Sequence, residues 1–261
     1  MKVDAQGNIW IASYGNASVC VFFGGNPLNS QCYQEPTGSK PFDIQIATDG
    51  SIWVSNSGGF GQSSGVKSSI AKFNLNGKTI QQSFVKTLGS SLKGISLDSN
   101  NNAWIASGDN NKVYALNSNG RLLGAFNGGG INGPWGVTVD GEDNVWVANF
   151  GPLSGNFTKG RISKLNGIAS GHSLGRPLSP TTGFTLPSAG QEVLLHNGDP
   201  LYGSGQPPSY SPLMRLTALG IDKAGNIWAM NNWKPSFQVD NSTNPGGDGA
   251  VIFVGLASPP K

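Results

Sequence analysis

The sequence predicts an all-β fold, a β-propeller of four-stranded antiparallel blades. Three observations carry that prediction. A tryptophan-centred segment recurs five times along 261 residues, short apolar runs alternate with Asn-, Asp- and Gly-rich turns, and the composition suits turns better than helices. Glycine occurs 39 times and charged residues make up only 12% of the chain, a balance that disfavours long helices. The hydrophobic share of 37% still permits a sizeable core.

The recurring segments are VDAQGNIWIAS (3–13), IATDGSIWVSN (46–56), LDSNNNAWIAS (97–107), VDGEDNVWVAN (139–149) and IDKAGNIWAMN (221–231). Their tryptophans, Trp10, Trp53, Trp104, Trp146 and Trp228, are separated by 43, 51, 42 and 82 residues. A period of about 40–45 residues is that of a propeller blade. Within one unit, residues 94–126 read as four short runs separated by SNNN, GDNN and SNG, the pattern of a β-meander. A lone meander leaves apolar faces in water, whereas units stacked around an axis cover them. All five tryptophans are therefore expected to be buried between blades.

The gap of 82 residues leaves two readings of about 166–214: a degenerate sixth blade, or an irregular insertion. RPLSPTTGF (176–184) reads as an outer strand finishing the fourth unit, and the Pro, Gly and Ser that follow favour a long loop. Either way residues 1–261 are expected to form one domain. The chain begins inside a first unit and ends soon after a third strand of the last. The last blade is therefore expected to close imperfectly and to be completed by another chain.

Charge and hydropathy exclude several classes. The 17 basic and 14 acidic residues are scattered, with no basic stripe for nucleic acid. No stretch approaches the roughly 18 apolar residues of a membrane span, and MKVDAQGNIW has no apolar signal core. Cys20 and Cys32 flank GGNPLNS and fall opposite each other if the chain turns near Asn26, which permits a cross-strand disulfide. Two free thiols in a reducing compartment are the alternative. The composition favours a secreted, periplasmic or cell-surface protein whose signal segment is not part of this sequence.

The long connections SNSGGFGQSSGVKSS (55–69), NFGPLSGNFTKG (149–160) and NNWKPSFQVDNSTNPGGDG (231–249) all join second to third strands. In a meander they emerge on the same side as the links between blades, so one face of the disc is expected to be loop-rich and to carry function. Its rings include Phe60, Phe150, Phe157, Tyr202, Tyr210, Trp233 and Phe237, with Trp135 at the head of an inner strand. Phe42, Asp43, Lys93, Trp135 and Thr217 head the inner strands. Phe42, Asp43, Lys93, Trp135, Phe150 and Trp233 are the candidate ligand-binding residues, for a small molecule, a carbohydrate or a protein.

The motifs GPWGVTVDGEDNVWVANFG (133–151), ALGIDKAGNIWAMNNW (218–233) and NPGGDGAVIFVGLASP (244–259) resemble the NHL-type repeats of bacterial streptogramin lyase-like propellers, and also those of gluconolactonase-like propellers. The resemblance implies a ring, usually of six blades. Its activities range from lyases and metal-dependent lactonases to pure binding modules. It places lactonase metal ligands at the heads of inner strands, where this chain offers one carboxylate, Asp43. No cofactor and no metal site are therefore expected. The lyase pattern implies a channel-facing histidine, whereas His172 and His196 both lie in the irregular segment. A binding or scaffold module is the expectation. The alternative is a lyase or lactonase with a rearranged site, for which His196, Glu192 and His172 are the catalytic candidates.

Overall fold

Alternating apolar runs and tight turns fold into five antiparallel sheets in the computed structural model, which describes residues 1–36, 39–58, 67–151, 160–168, 172–186, 213–232 and 249–261. The first sheet holds β1 (Lys2–Val3), β2 (Ile9–Ser13), β3 (Ser18–Phe22) and β4 (Ser30–Gln34). The second holds β5 (Pro41–Ile46), β6 (Ile52–Asn56), β7 (Ser69–Asn76) and β8 (Thr79–Thr87). β9 (Leu92–Leu97), β10 (Ala103–Ser107), β11 (Lys112–Leu116) and β12 (Leu122–Phe126) make the third. The fourth contains β13 (Pro134–Val139), β14 (Val145–Asn149) and β15 (Arg161–Leu165), and the fifth β16 (Leu216–Ile221), β17 (Ile227–Asn231) and β18 (Ala250–Phe253). In every sheet the strands pair in sequence order, as a meander requires.

The RPLSPTTGF segment runs beside β15, bridging Leu165 to Pro177 and Ile162 to Phe184, so it supplies the outer edge of the fourth blade. Inner strands β5, β9, β13 and β16 pack side by side, with β1 against β5. Together they surround a channel of about 420 Å3 lined from all five sheets, from Lys2 through Gln45, Ser96 and Thr138 to Leu219. β13 and β16 are direct neighbours, and Trp146 of the fourth sheet packs on Leu216, Ile227 and Ala229 of the fifth. Among the described residues, no sheet stands between the fourth and the fifth. Five blades are seen among the described residues.

Period-two alternation puts each repeat tryptophan on one face of its second strand, aimed at the next sheet. Trp10 packs on Ile44, Ile52 and Val54, and Trp53 on Ile95, Ala103 and Ile105. Trp104 packs on Val137, Val145 and Val147. These three and Trp146 are 0–1% exposed. Trp228 is 38% exposed, against the expectation that all five would be buried. It sits on the face opposite Ile227 and Ala229, where no following sheet lies among the described residues.

The aspartate that opens four of the repeats locks its turn and its tryptophan together. In the fourth blade Asp140 Oδ1 accepts the backbone N–H of Glu142 and Asn144, while Oδ2 accepts the Trp146 indole N–H at 2.9 Å. The same clip joins Asp4 to Trp10, Asp98 to Trp104 and Asp222 to Trp228, each at 3.0 Å. These bonds to its charged form hold Asp222 down at about 2. The second blade has Ala47 in place of the aspartate, and its buried Trp53 indole N–H has no acceptor. Lys72 Nζ lies 5.2 Å from the Trp53 ring centroid instead.

Glu35, 2% exposed, sits between the first two blades, accepting from Asn56 Nδ2 at 3.3 Å. Burial pushes its carboxyl above the ordinary range, although the neighbouring Asn56 and Gln82 amides oppose the shift. A raised folded-state value means that Glu35 favours folding below its unfolded value and disfavours it as pH rises through the folded one. Glu35 Oε2 and Asn56 Oδ1 are both unpartnered. Glu35→Gln should remove the buried charge and supply a donor, raising stability at pH 7 by about 1 kcal/mol. Urea denaturation at pH 7 and pH 4 checks this: the gain should shrink at the lower pH, and an equal gain at both would contradict a buried charge.

Candidate functional site

The heads of the inner strands are irregular in a repeated way. Pairing to the second strand slips between Pro41 and Asp43, between Pro134 and Gly136, and between Leu216 and Ala218. In the third blade the slip spans Leu92 to Ile95. Each slip is a β-bulge, which leaves a residue out of the ladder and re-aims its side chain. The bulged residues are Phe42, Lys93, Trp135 and Thr217. One backbone device, repeated blade after blade, thus places different chemistry at equivalent points round the channel.

The links into the inner strands and the links from second to third strands lie on one face. Ser57 N–H bonds Lys40 O, Gly108 N–H bonds Ser91 O, Gly151 N–H bonds Asn132 O, Gly160 N–H bonds Leu213 O and Asn232 N–H bonds Arg215 O. On this face rings and cations interleave. Trp135 lies 5.8 Å from Phe42 and 4.6 Å from Phe150, and Tyr14 is 6.4 Å from Phe42. Lys93 Nζ stands 4.7 Å from the centroids of both Phe42 and Trp135. The Arg215 guanidinium is 5.0 Å from Phe150, and Lys40 Nζ is 5.3 Å from Tyr14. All five blades contribute: Tyr14, Phe42, Lys93, Trp135 with Phe150, and Arg215.

Lys93 is 1% exposed and donates to Ser57 Oγ at 2.8 Å. Burial brings its ammonium down to about 8, with the Asp109 carboxylate pulling the other way. Burial likewise lowers Arg215, which stays charged. Beside Lys93 a cavity of about 270 Å3 is lined by Ser91, Asp109, Asn111, Asn132, Trp135 and Phe150. Its lining combines the Trp135 and Phe150 rings with hydroxyl, amide and carboxylate groups. The titratable side chains among its described lining residues are Lys93 and Asp109.

The structure brings Phe42, Lys93, Trp135 and Phe150 into one assembly and sets Asp43 apart from it. Asp43 turns into the channel, where Oδ1 accepts Ile44 N–H and Oδ2 accepts Ile95 N–H at 3.0 Å, tying the second blade to the third. His172 is exposed and on the opposite face: its carbonyl accepts from Asn166, and the adjoining Gly167 abuts the turn at Asp143. Trp233, Glu192 and His196, with the rings Phe60, Phe157, Tyr202, Tyr210 and Phe237, lie outside the described residues. Cys20 and Cys32 form a disulfide between β3 and β4, S–S 2.01 Å. Sequence reasoning missed Tyr14, Lys40 and Arg215. Arg215 had a signal, since it stands two residues before Thr217 at the head of the fifth inner strand. Tyr14 and Lys40 had none.

No family model and no curated protein matches the chain. Among solved structures it is similar to a catalytically inactive variant of virginiamycin B lyase from Staphylococcus aureus with quinupristin, at 17% identity and a TM-score of 0.55. That match covers 87% of this chain and 61% of the lyase, so the chain spans under two thirds of its length. A streptogramin B lyase matches at 18% identity over 98% of this chain and 76% of that one, with a TM-score of 0.55. A gluconolactonase from Xanthomonas campestris matches at 15% identity over 87% and 66%, with a TM-score of 0.51. The chain shares the β-propeller fold of these lyases and lactonases.

Proposed function

We propose that this protein is a binding propeller whose loop-rich face takes a small polar ligand, such as a carbohydrate, in the cavity beside Lys93, Trp135 and Phe150. The observation that carries the reading is a depression of about 270 Å3, lined by the third and fourth blades, beside a run of rings and cations to which all five blades contribute. Its rings suit stacking, and Asp109, Asn111 and Asn132 suit hydroxyl recognition. A disulfide-bridged first blade supports an exported setting, where such bonds persist.

A second reading is an enzyme of the lyase or lactonase class. One observation favours it: an amine held near 8 is partly neutral at mildly alkaline pH and can act as a base or nucleophile. A panel of oligosaccharides, lactones and cyclic depsipeptides separates the two. Under the binding reading a saccharide binds unchanged, and Trp135→Ala weakens it about 5- to 150-fold, the range for a buried aromatic anchor. Turnover of a lactone or depsipeptide that Lys93→Met abolishes would replace the binding reading by the enzymatic one.

A further inference from the structure

Every interface between successive blades in this protein uses the same knob and socket. The knob is the repeat tryptophan. The socket is built from the residues flanking the next blade's own tryptophan and their partners across the hairpin. In the second blade it is Ile52, Val54, Ala71 and Phe73, all 0–1% exposed beneath Trp10. The corresponding residues of the first blade, by the same pairing, are Ile9, Ile11, Cys20 and Phe22. None of these four is buried. At the other end of the array the fifth blade's knob, Trp228, is 38% exposed, with Ile252 at 44% and Val254 at 83% beside it. The inner strand agrees: Gly94 and Gly136 admit the backbone of the following blade, while Ala218, in line with Gly136, is exposed.

We propose that the open Trp228 face and the open first-blade socket are the two halves of one interface between copies of this chain. Trp228 of one molecule seats on Ile9, Ile11 and Phe22 of the next. The occupant follows from continuity with the interface already repeated four times. Whatever covers Trp228 in that packing must present an apolar socket in this register, and the first blade of a second copy offers one whose four residues are only half-buried. The Asp222 clip already holds the indole as the clips of Trp10, Trp104 and Trp146 hold theirs. The contact is head-to-tail, so each molecule keeps one free half and association proceeds stepwise rather than stopping at a symmetric pair.

Sedimentation velocity on the 261-residue chain over a hundredfold concentration range tests this. The expected result is a weight-average mass that rises with concentration. Val254→Asp, on the knob face, and Ile11→Asp, in the socket, should each hold the protein at monomer, because neither homotypic pairing retains both halves. An equimolar mixture of the two variants should recover a 1:1 pair and nothing larger, because the Ile11→Asp knob still meets the Val254→Asp socket. Far-ultraviolet circular dichroism confirms that both variants fold; if one does not, Trp228→Ser replaces Val254→Asp on the knob and Ile9→Asp replaces Ile11→Asp in the socket. A wild-type monomer at every concentration overturns the proposal, as does association that both substitutions leave unchanged or a mixture that stays monomeric.

Discussion

Asp140→Ala should destabilise the protein by about 3–5 kcal/mol, the upper range for a single substitution. The carboxylate, 4% exposed, accepts two backbone N–H groups, the Asn144 amide and the Trp146 indole, all in a buried corner between the fourth and fifth blades. Removing it strands these donors where water cannot reach, and each buried orphan costs about 1–3 kcal/mol. The loss also frees the Trp146 ring, which anchors the fourth blade to the fifth. Asp222→Ala is the matched control, because its clip has the same geometry around an exposed tryptophan. There water can satisfy the released donors, so the effect should be much smaller. Urea denaturation of both variants reads the difference. Equal losses would mean that the clip acts through the turn alone.

This contrast shows where the sequence was legible. Five tryptophans in one register, each usually preceded six residues earlier by aspartate, announce a repeated packing role. Period-two alternation then says which face each ring takes. What the pattern cannot announce is whether a neighbour stands opposite that face. IDKAGNIWAMN reads like its four counterparts, yet Trp228 is exposed because exposure belongs to the neighbour and not to the strand. The site followed the same logic. Phe42, Lys93 and Trp135 could be named because each heads an inner strand in the same alignment. Tyr14, just past the end of β2, and Lys40, just ahead of β5, were invisible because a pair such as Lys40 over Tyr14 depends on how two blades lean together. Asp43 occupied the right position for a channel ligand, but its carboxylate is engaged by two backbone amides, a use no side-chain inventory reveals.

A close backbone approach between two inner strands gives the second large effect. A Cβ built on Gly136 would lie 2.6 Å from Thr217 O and 2.9 Å from the Ala218 Cα. Both are main-chain atoms of the neighbouring inner strand, so no side chain can swing away to make room. Gly136→Ala should therefore force β13 and β16 apart and cost about 3 kcal/mol, the upper end for overpacking a rigid contact. The strain falls at the channel wall and directly beside Trp135, so ligand binding on the loop-rich face should weaken as well. Gly220 is the control within the same fold. It lies on the open face of β16, and an added Cβ there meets nothing within 4 Å. Because alanine lowers the entropy of the unfolded chain, Gly220→Ala should leave stability unchanged or raise it by up to about 1 kcal/mol. Thermal melts of the two variants decide the matter. If Gly136→Ala melts with the wild type, the inner strands do not pack as closely as this geometry requires. If Gly220→Ala is the damaging one, the face beside Trp228 is already covered within a single molecule.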